Sequence, residues 1–353
     1  MLGCRCFRVA RRFSRCASDR AGAPVICELE FPGGAFALNW GVLWRHLRHS
    51  VSNERNWTAC EASRLTTAAD GALVVDCKSR ALEVDLVVGA DGYRSTVREW
   101  MGQHAQPLSA GYVLWRGTVP EAAVAEHALH LDATRPLTVG YRRGHAMIYL
   151  LPTDDGGTEP GRRLVNWAIY ETVPTAELGP LFGSDDRSAL RSIVPGQASS
   201  AQRAYIRSLV GEQLPVFLEQ IVAATAEPFC QPIHDLTVTS YATGAVALVG
   251  DAGSVARPHA GAGVGKALDD AFALVDALDA ANDTRVALAA YDSERLRVGN
   301  ELVDTGRRLG EILVVHPLDW DHVSSTELQA EIETPHQRIF EITAEHRDAR
   351  GIA

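Results

Sequence analysis

The sequence has few lysines, few aromatic residues and no long apolar run. Lys78 and Lys266 are its only lysines among 34 basic residues, and 7% of its residues are aromatic. Because 44 acidic residues leave a net charge of −10, no basic surface for a nucleic acid is expected. No apolar segment approaches the roughly 18 residues that a membrane-spanning helix needs. We therefore expect neither a nucleic-acid partner nor a transmembrane segment.

Cysteine is sparse as well. The seven cysteines are an odd and scattered set that does not resemble a disulfide framework. A reducing compartment is therefore expected, and with it a cytoplasmic location. The chain of 353 residues is 46% hydrophobic, which is enough to build two domains, one of them interrupted by the other.

The first 22 residues differ in composition from the rest. They contain six arginines and a single acidic residue, Asp19. An arginine-rich and acid-poor start is typical of an organelle presequence. The alternative is spurious sequence ahead of the fold, because the shortage of lysine indicates a GC-rich genome with long accidental reading frames. Both interpretations stay open, and the second is preferred.

Apolar spacing predicts the secondary structure. A residue every fourth position predicts a helix from Trp40 to Val51, and continuous apolar runs predict buried strands at 82–88 and 245–249. Alternating residues between 111 and 170 predict a mainly antiparallel sheet. Helices are also expected at 201–226, at 263–281 and over most of the tail from Arg285, interrupted around His316 and Pro317.

This order predicts an α/β fold with an α+β insert. A Rossmann-like nucleotide-binding domain, incomplete at its start, is interrupted by an antiparallel sheet domain and followed by a helical C-terminus. The expected segments are a start at 1–22, nucleotide-binding parts at 23–108 and 229–283, a substrate domain at 109–228, and a helical region at 284–353.

The first chemical signature is DLVVGADGYRSTVR, residues 85–98. A buried strand leads into Gly89 and Gly92, which flank Asp91 and allow the backbone to turn close to a ligand. Asp91 can accept bonds from sugar or ribityl hydroxyls, Arg98 can neutralise phosphate, and Ser95 can cap the next helix. A plain strand-turn-helix junction explains the same pattern equally well.

The second signature is ALVGDAGSVARPHAGAGVGKALDDAFAL, residues 247–274. A buried strand delivers Gly250 and Asp251 at its carboxyl end, where open α/β sheets bind ligands. Pro258 stiffens the loop, and the glycines at 261, 263 and 265 expose N–H groups at a helix start that favours anions. A P-loop is rejected, because that motif needs glycine and serine or threonine where this chain has alanine. Lys266 is interpreted as a solvated helix residue.

Together the two signatures resemble the later fingerprints of the flavoprotein aromatic hydroxylases, the p-hydroxybenzoate hydroxylase family. The segments AGYVLWRGTVPE, RRLVNWAIY, PFCQPIHDL and the Arg-Pro-His triplet at 257–259 resemble its 2,6-dihydroxypyridine 3-monooxygenase branch. The resemblance implies FAD, reduction by NAD(P)H, reaction with O2, and transfer of one oxygen atom to an electron-rich aromatic or N-heteroaromatic ring. It implies a small aromatic substrate as partner, and a homodimer is a further expectation.

The resemblance also implies residue roles. Asp91 would lie near the FAD pyrophosphate, Asp251 would bind the ribityl chain, and Gly261, Ala262 and Gly263 would hold the edge of the isoalloxazine. His259, in the same loop, is the candidate catalytic residue, since a histidine there can help deprotonate a ring hydroxyl. A loop histidine without a chemical role is the alternative. The histidines and aspartates at 316–322 have no spacing that defines a metal site, and none is expected.

The candidate substrate residues come from the predicted sheet. An aromatic pocket with a few polar groups suits a hydroxylated ring. The candidates are Trp115, Arg116, Tyr149, Asn166, Trp167 and Tyr170. The alternative is that most of these aromatic residues belong to an ordinary core.

One departure from the family pattern is large. The family begins with a strand, a Gly-x-Gly-x-x-Gly loop and a helix, and nothing in residues 1–40 fits that, since Gly33 and Gly34 form only a turn. We therefore expect the chain to start after the first βαβ unit and to bind FAD weakly or not at all. A non-catalytic remnant is the competing interpretation, and another flavoprotein such as an epoxidase or halogenase is the third.

Overall fold

The structure is a computed structural model. It describes residues 6–15, 25–29, 35–51, 61–69, 72–78, 80–128 and 131–348. Most of the segment expected as a presequence or spurious start, and the turn expected at Gly33 and Gly34, lie outside the described residues.

The chain forms two compact units. Unit 1 comprises Met1–Ser52, Ser109–Ile233 and Gly310–Gln337, and unit 2 comprises Asn53–Leu108, His234–Leu309 and Arg338–Ala353. A sheet-bearing segment is thus inserted between two segments of unit 2. The exact five-part division stays a prediction.

The described strands and helices follow each other in a mixed α/β order. The strands are β1 Phe7–Val9, β2 Arg11–Arg15, β3 Val25–Leu29, β4 Ala35–Ala37, β5 Ala62–Thr67, β6 Leu73–Cys77, β7 Arg80–Val84, β8 Val87–Gly89, β9 Leu108–Pro120, β10 Leu137–Tyr141, β11 Gly144–Pro152, β12 Arg163–Glu171, β13 Phe229–Asp235, β14 Ala242–Thr243 and β15 Val246–Leu248. The helices are α1 Trp40–Ser50, α2 Thr96–Trp100, α3 Thr175–Phe182, α4 Ser200–Gln213, α5 Val216–Ala223, α6 Gly263–Ala280, α7 Thr284–Gly310 and α8 Ser325–Asp348.

Unit 1 is built on a seven-stranded sheet in the order β13-β9-β12-β11-β10-β2-β3. Strands β9 to β12 pair antiparallel over long registers, and β2 joins β10 in parallel. Because side chains alternate along a strand, each strand contributes to two faces. One face packs the apolar core against α3, α4 and α5, and the other face carries polar side chains.

Unit 2 contains the two sequence signatures on neighbouring strands. β8 and β15 pair in parallel, with Gly89 opposite Leu248, and the amide of Val249 donates to the carbonyl of Gly89 at 2.9 Å. Parallel strands end at the same edge of a sheet, so the loops that follow β8 and β15 emerge side by side. A three-stranded antiparallel sheet, β5-β6-β7, belongs to the same unit.

The predicted fold class, α/β with an antiparallel insert and a helical C-terminus, is confirmed. One helix boundary is wrong: the single helix predicted at 201–226 is two helices, because Leu214 is extended and Pro215, which has no N–H to donate, begins the second. In the described part of the chain, no helix is long and apolar enough to span a bilayer.

Candidate functional site

The first loop contains two glycines, and each position requires glycine for a different physical reason. A Cβ on Gly89 would lie 2.7 Å from the Cβ of Val97, so the close packing of α2 on β8 requires glycine. Gly92 has a φ of +79°, in the left-handed region that other residues rarely adopt. The sequence predicted glycines for sharp turning, and only Gly92 serves that purpose.

The polar residues of this loop hold the start of α2. The exposed carboxylate of Asp91 accepts hydrogen bonds from the amides of Thr96, at 2.7 Å, and Val97, at 3.2 Å. The buried hydroxyl of Ser95 accepts one from the amide of Arg98 at 2.9 Å, which is the predicted cap. The contact proposed between Asp91 and FAD stays a prediction.

Arg98 is buried, unlike an arginine that binds phosphate at the protein surface. Its side chain is buried and donates to the carbonyl of Tyr93 at 2.7 Å and to that of Ala252 at 3.0 Å. Burial lowers the pKa of this guanidinium, while Asp91 and Glu99 act in the opposite direction. Arg98 therefore ties the first loop to the second, and the proposed phosphate contact gains no support from these bonds.

The second loop begins with a left-handed residue, Gly250, at φ +62°. Its amide donates to the carboxylate of Asp270 at 2.8 Å, and its carbonyl accepts from the ammonium of Lys266 at 2.8 Å. Lys266 also pairs with Asp270 at 2.8 Å and is only 2% exposed. The interpretation of Lys266 as a solvated residue is therefore wrong, because its position on α6 faces the buried turn.

The second loop presents one exposed carboxylate, that of Asp251. Partial burial raises the pKa of this group, the ammonium of Lys266 lowers it and Asp270 raises it. The carboxylate of Asp270 is held by Arg295 at 2.6 Å, so it stays paired beneath the turn. The arrangement leaves Asp251 as the acceptor that this turn offers to a ligand.

The glycine-rich part of the loop is anchored at its start. Arg257 pairs with the buried carboxylate of Asp235 at 2.9 Å, and Arg307 pairs with the same group at 2.6 Å. A short 3₁₀ turn, Pro258–Ala260, follows, with His259 only 3% exposed. The catalytic role of His259 stays a prediction.

The helix α6 begins with an open backbone. Gly261 has a φ of +64°, and Ala262 precedes the helix without a side-chain cap among the described residues. A Cβ on Gly263 or Gly265 would meet nothing within 4 Å, and neither glycine has a positive φ. Packing and backbone strain therefore do not explain these two glycines, whereas a flat, electron-rich ligand edge against the bare amides does. The residues present fit FAD at this turn.

The two tryptophans proposed for the substrate lie in the core of unit 1. Trp115 and Trp167 have no exposed surface and belong to the apolar face of the sheet. Their indole N–H groups donate to Glu171 at 3.2 Å and to Thr225 at 2.9 Å. Both side chains are fully used by the core, so the alternative interpretation applies to them.

The other predicted residues share the opposite, polar face. Asn166 lies across from Tyr149, Arg116 across from Ala168, and Tyr170 across from His145. Burial raises the pKa of Tyr170 to about 12 and also raises that of Tyr149, although Arg116 acts in the opposite direction on both. Both phenols therefore stay protonated near neutral pH.

Sequence reasoning missed two members of this face. His145 stacks on Tyr170 with ring centroids 4.4 Å apart, and Arg11 of β2 donates to the ring of His336 at 3.2 Å. The alternation along β11 marks His145 as a residue of the Tyr149 face, which is a signal that could have found it. Arg11 lies in the segment expected as a presequence or spurious sequence, so composition pointed away from it.

Comparison with known proteins finds FAD-binding domain models in the chain, and the second loop lies within one of them. A family model described as "FAD binding domain-like" matches residues 109–235, and one described as "FAD binding domain" matches residues 220–306. Together with the relatives below, these matches support FAD as the cofactor and agree with the resemblance of the chain to the FAD-dependent aromatic hydroxylases.

Individual relatives agree with this assignment. The chain is 28% identical to 2,6-dihydroxypyridine 3-monooxygenase of Paenarthrobacter nicotinovorans over 232 residues, which are 65% of this chain and 57% of the relative. It is 28% identical to salicylate hydroxylase of Pseudomonas putida over 285 residues, which are 75% of this chain and 60% of the relative. The chain thus spans less than two thirds of the length of these curated relatives.

Solved structures show the same fold. The 2,6-dihydroxypyridine-3-hydroxylase from Arthrobacter nicotinovorans has a TM-score of 0.73 at 22% identity, covering 89% of this chain and 78% of that one. A Klebsiella pneumoniae protein complexed with FAD and uric acid has a TM-score of 0.66 at 22% identity, covering 98% and 79%.

Proposed function

We propose that this protein is an FAD-dependent monooxygenase that hydroxylates an aromatic or N-heteroaromatic ring with NAD(P)H and O2. The observation that carries the proposal is the second loop of unit 2. It combines the exposed carboxylate of Asp251 with an uncapped helix start whose glycines at 263 and 265 have no structural reason. The resemblance to the FAD-dependent aromatic hydroxylases supplies the reaction class.

In this proposal unit 2 holds the cofactor. Asp251 accepts hydrogen bonds from the ribityl hydroxyls, and the amides from Gly261 to Gly263 face the edge of the isoalloxazine. The start of α6 places partial positive charge there, which favours the negative charge of a reduced flavin. When bound, FAD supplies the redox and oxygen chemistry, and the protein supplies binding, orientation and charge.

Unit 1 orients the ring in this proposal. Arg116, Tyr149, Asn166 and Tyr170 lie on one sheet face, and the two phenols donate because they remain protonated near neutral pH. His259 takes the proton of a ring hydroxyl, which makes the ring more electron-rich. We also place the protein in the cytoplasm, supported by Cys27 and Cys230, which form no disulfide. We further propose a homodimer, which light scattering tests.

The first prediction concerns FAD binding by the full chain. For the proposed function, FAD titration, followed by quenching of flavin fluorescence, saturates at one FAD per chain; the weak or absent binding expected from the missing Gly-x-Gly-x-x-Gly loop is the competing outcome. Asp251→Asn is expected to weaken the affinity about 10- to 100-fold, since it removes a charged acceptor. Asp279→Asn, an exposed change on α6, is the matched control and leaves the affinity unchanged.

The same preparation tests the reaction. NAD(P)H oxidation should accelerate when hydroxylated pyridines or benzoates are added, and 18O2 should label the product ring. A chain that binds no FAD at micromolar concentrations would instead support the non-catalytic interpretation, which rests on the lack of a Gly-x-Gly-x-x-Gly motif in the printed sequence.

A further inference from the structure

A buried carboxylate at the end of β13 holds two arginines of unit 2. Asp235 is only 1% exposed. Its Oδ2 accepts a hydrogen bond from the Nε of Arg257 at 2.9 Å, and its Oδ1 accepts two from Arg307, at 2.9 Å and 2.6 Å. Buried charges are stable in a protein only when they are paired and hydrogen-bonded. None of the roles proposed above for FAD or for the ring uses this carboxylate.

The two arginines differ in burial and in the segment that carries them. Arg257 is 7% exposed and directly precedes the 3₁₀ turn Pro258–Ala260. Arg307 lies on α7, its side chain is 33% exposed, and it also pairs with the exposed carboxylate of Asp304 at 3.1 Å. Water and a second carboxylate therefore compensate Arg307 when Asp235 is lost. The guanidinium of Arg257 is buried, so the loss of its pair leaves a charge that water reaches poorly.

The backbone next to Arg257 is held as well. Leu236, directly after β13, exchanges two backbone hydrogen bonds with Val255, at 3.0 Å and 2.9 Å. A Cβ on Gly306 of α7 would lie 3.0 Å from the amide nitrogen of Arg257, so α7 lies directly against this backbone. The chain therefore enters the 3₁₀ turn in a direction that the end of β13, α7 and the ion pair define together.

The segment after the turn has few contacts of its own. Gly261 has a φ of +64°, in the left-handed region. A Cβ on Gly261 or Gly263 would meet no described atom within 4 Å. Side-chain packing thus does not hold the backbone at 261–263, and its place depends on the anchors on either side. Lys266 is the anchor on α6, and Arg257 is the anchor at the entrance.

We propose that Asp235 is a positioning residue for the cofactor loop, which we define as residues 257–263. Through its pair with Arg257 it fixes the turn that carries His259 and the backbone amides from 261 to 263. Its pair with Arg307 stabilises unit 2 and does not set the place of the loop. The identity of the ligand as FAD rests on the proposed function.

Loss of the carboxylate charge has a specific consequence for this loop. In Asp235→Asn the buried guanidinium of Arg257 loses its counter-charge and becomes more stable by moving towards water. Because Arg257 directly precedes the turn, this movement displaces the turn. In Arg257→Gln the side chain carries no charge and makes no charge-assisted hydrogen bond. Both variants are therefore expected to loosen the same segment.

Hydrogen–deuterium exchange of the cofactor-free full chain tests the position of the loop directly. In Asp235→Asn and Arg257→Gln, the peptide covering residues 255–266 is expected to exchange about 10-fold faster, because a charge-assisted hydrogen bond holds the segment closed. Arg307→Gln and Asp304→Asn, which change only the outer side of the network, are the matched controls and leave this exchange unchanged. Equal exchange in the wild type and Arg257→Gln, or the same increase in Arg307→Gln, overturns the proposal.

FAD titration measures what the position of the loop contributes to cofactor binding. Asp235→Asn and Arg257→Gln are each expected to weaken FAD binding about 10-fold, and the double variant by no more than that, because both remove the same pair. Independent effects would multiply to about 100-fold. The visible absorption band of bound FAD reports the surroundings of the isoalloxazine. It is expected to change in these variants and not in Arg307→Gln, a difference that a loss of stability alone would not produce.

Urea unfolding checks that each variant is folded under the conditions of the titration. Arg257→Gln leaves Asp235 paired with Arg307, so it keeps the test available when Asp235→Asn does not fold. Faster exchange of the loop with unchanged FAD affinity would also overturn the proposal, since the loop would then not be positioned for the cofactor. When not even the wild type binds FAD, the proposed function fails, whereas the exchange measurement still decides whether Asp235 fixes the loop.

Discussion

A buried lysine is the residue whose position differs most from its sequence interpretation. Lys266 contacts the carbonyl of Gly250, the carboxylate of Asp270 and the ring of Tyr241, whose centroid is 5.4 Å from the ammonium. Burial lowers the pKa of Lys266, but Tyr241 and Asp270 outweigh it, and the net direction is upward. The ammonium thus stays charged and holds the turn that presents Asp251.

The two lysines of the chain provide a matched pair of variants. Lys266→Met is expected to lower the free energy of unfolding by about 3 kcal/mol, because it leaves the carbonyl of Gly250 without its donor and removes one of two cations from a buried carboxylate. Lys78→Met removes an exposed lysine paired with exposed Glu61 and should change stability little. Urea unfolding at pH 7 measures both.

An equal effect of the two substitutions would contradict the buried network. Asp270 keeps its pair with Arg295 in Lys266→Met, so the variant should still fold, and FAD titration can be repeated on it. A folded Lys266→Met that binds FAD normally would show that the turn at Gly250 holds without the ammonium.

At the scale of elements, the glycine in the first turn of α6 makes the helix less stable but leaves its backbone open to a ligand. Glycine inside a helix is less favourable than alanine by roughly 0.5–1 kcal/mol, and the space around Gly265 is empty. Nothing in the fold of unit 2 requires glycine at this position. A ligand lying against the backbone explains why residue 265 is glycine.

Gly265→Ala is therefore expected to raise the stability of the cofactor-free protein by about 0.5–1 kcal/mol and to weaken FAD binding. Gly89→Ala is the comparison, since its Cβ would lie 2.7 Å from Val97 and must destabilise α2 against β8. Thermal unfolding and FAD titration of both variants check this. Unchanged FAD affinity in Gly265→Ala would remove the main support for a cofactor at this turn.

The sequence predicted these elements well, for a physical reason. Buried strands, glycine turns and capped helices are local patterns, so β15, α2 and α6 were expected from residue types alone. The single buried strand expected at 82–88 is wrong: it is two strands of different sheets, β7 and β8, and Val88 is 42% exposed. Alternation along β9 and β12 also shows that Trp115 and Arg116 lie on opposite faces. It does not show which face the helices cover, because that depends on the distant segments α4 and α5.

At the scale of the whole molecule, the contacts that were not predicted join residues far apart in the sequence. Arg11 donates to His336, 325 residues away, and β2 pairs in parallel with β10, more than 120 residues later. No local pattern marks either contact, and the arginine-rich composition favoured another interpretation. The network of Lys266, Asp270 and Arg295 was missed similarly, since Arg295 lies on the next helix.

Two buried histidines of unit 1, which take part in this long-range packing, make the stability of the protein depend on pH. The ring of His336 contacts the carbonyl of Ile332 at 2.7 Å and the guanidinium of Arg11 at 3.2 Å, so protonation would direct an N–H at a cation. The ring of His145 stacks on Tyr170, and its Nδ1 lies 3.4 Å from the carbonyl oxygen of Leu313. Burial lowers the pKa values of His336 and His145 to about 4 and about 3, well below the usual value near 6.5.

The protein should therefore lose stability as the pH falls. Between pH 6.5 and about 4 the unfolded chain binds protons at both histidines and the folded chain does not, so the free energy of unfolding falls by about 1.4 kcal/mol per pH unit for each histidine. Above pH 6.5 this contribution is complete. His336→Gln should roughly halve the slope measured by urea unfolding between pH 7.5 and 5, whereas His104→Gln, an exposed change, should preserve it. An unchanged slope in His336→Gln would mean that the ring of His336 does not stay neutral in the folded protein over this pH range.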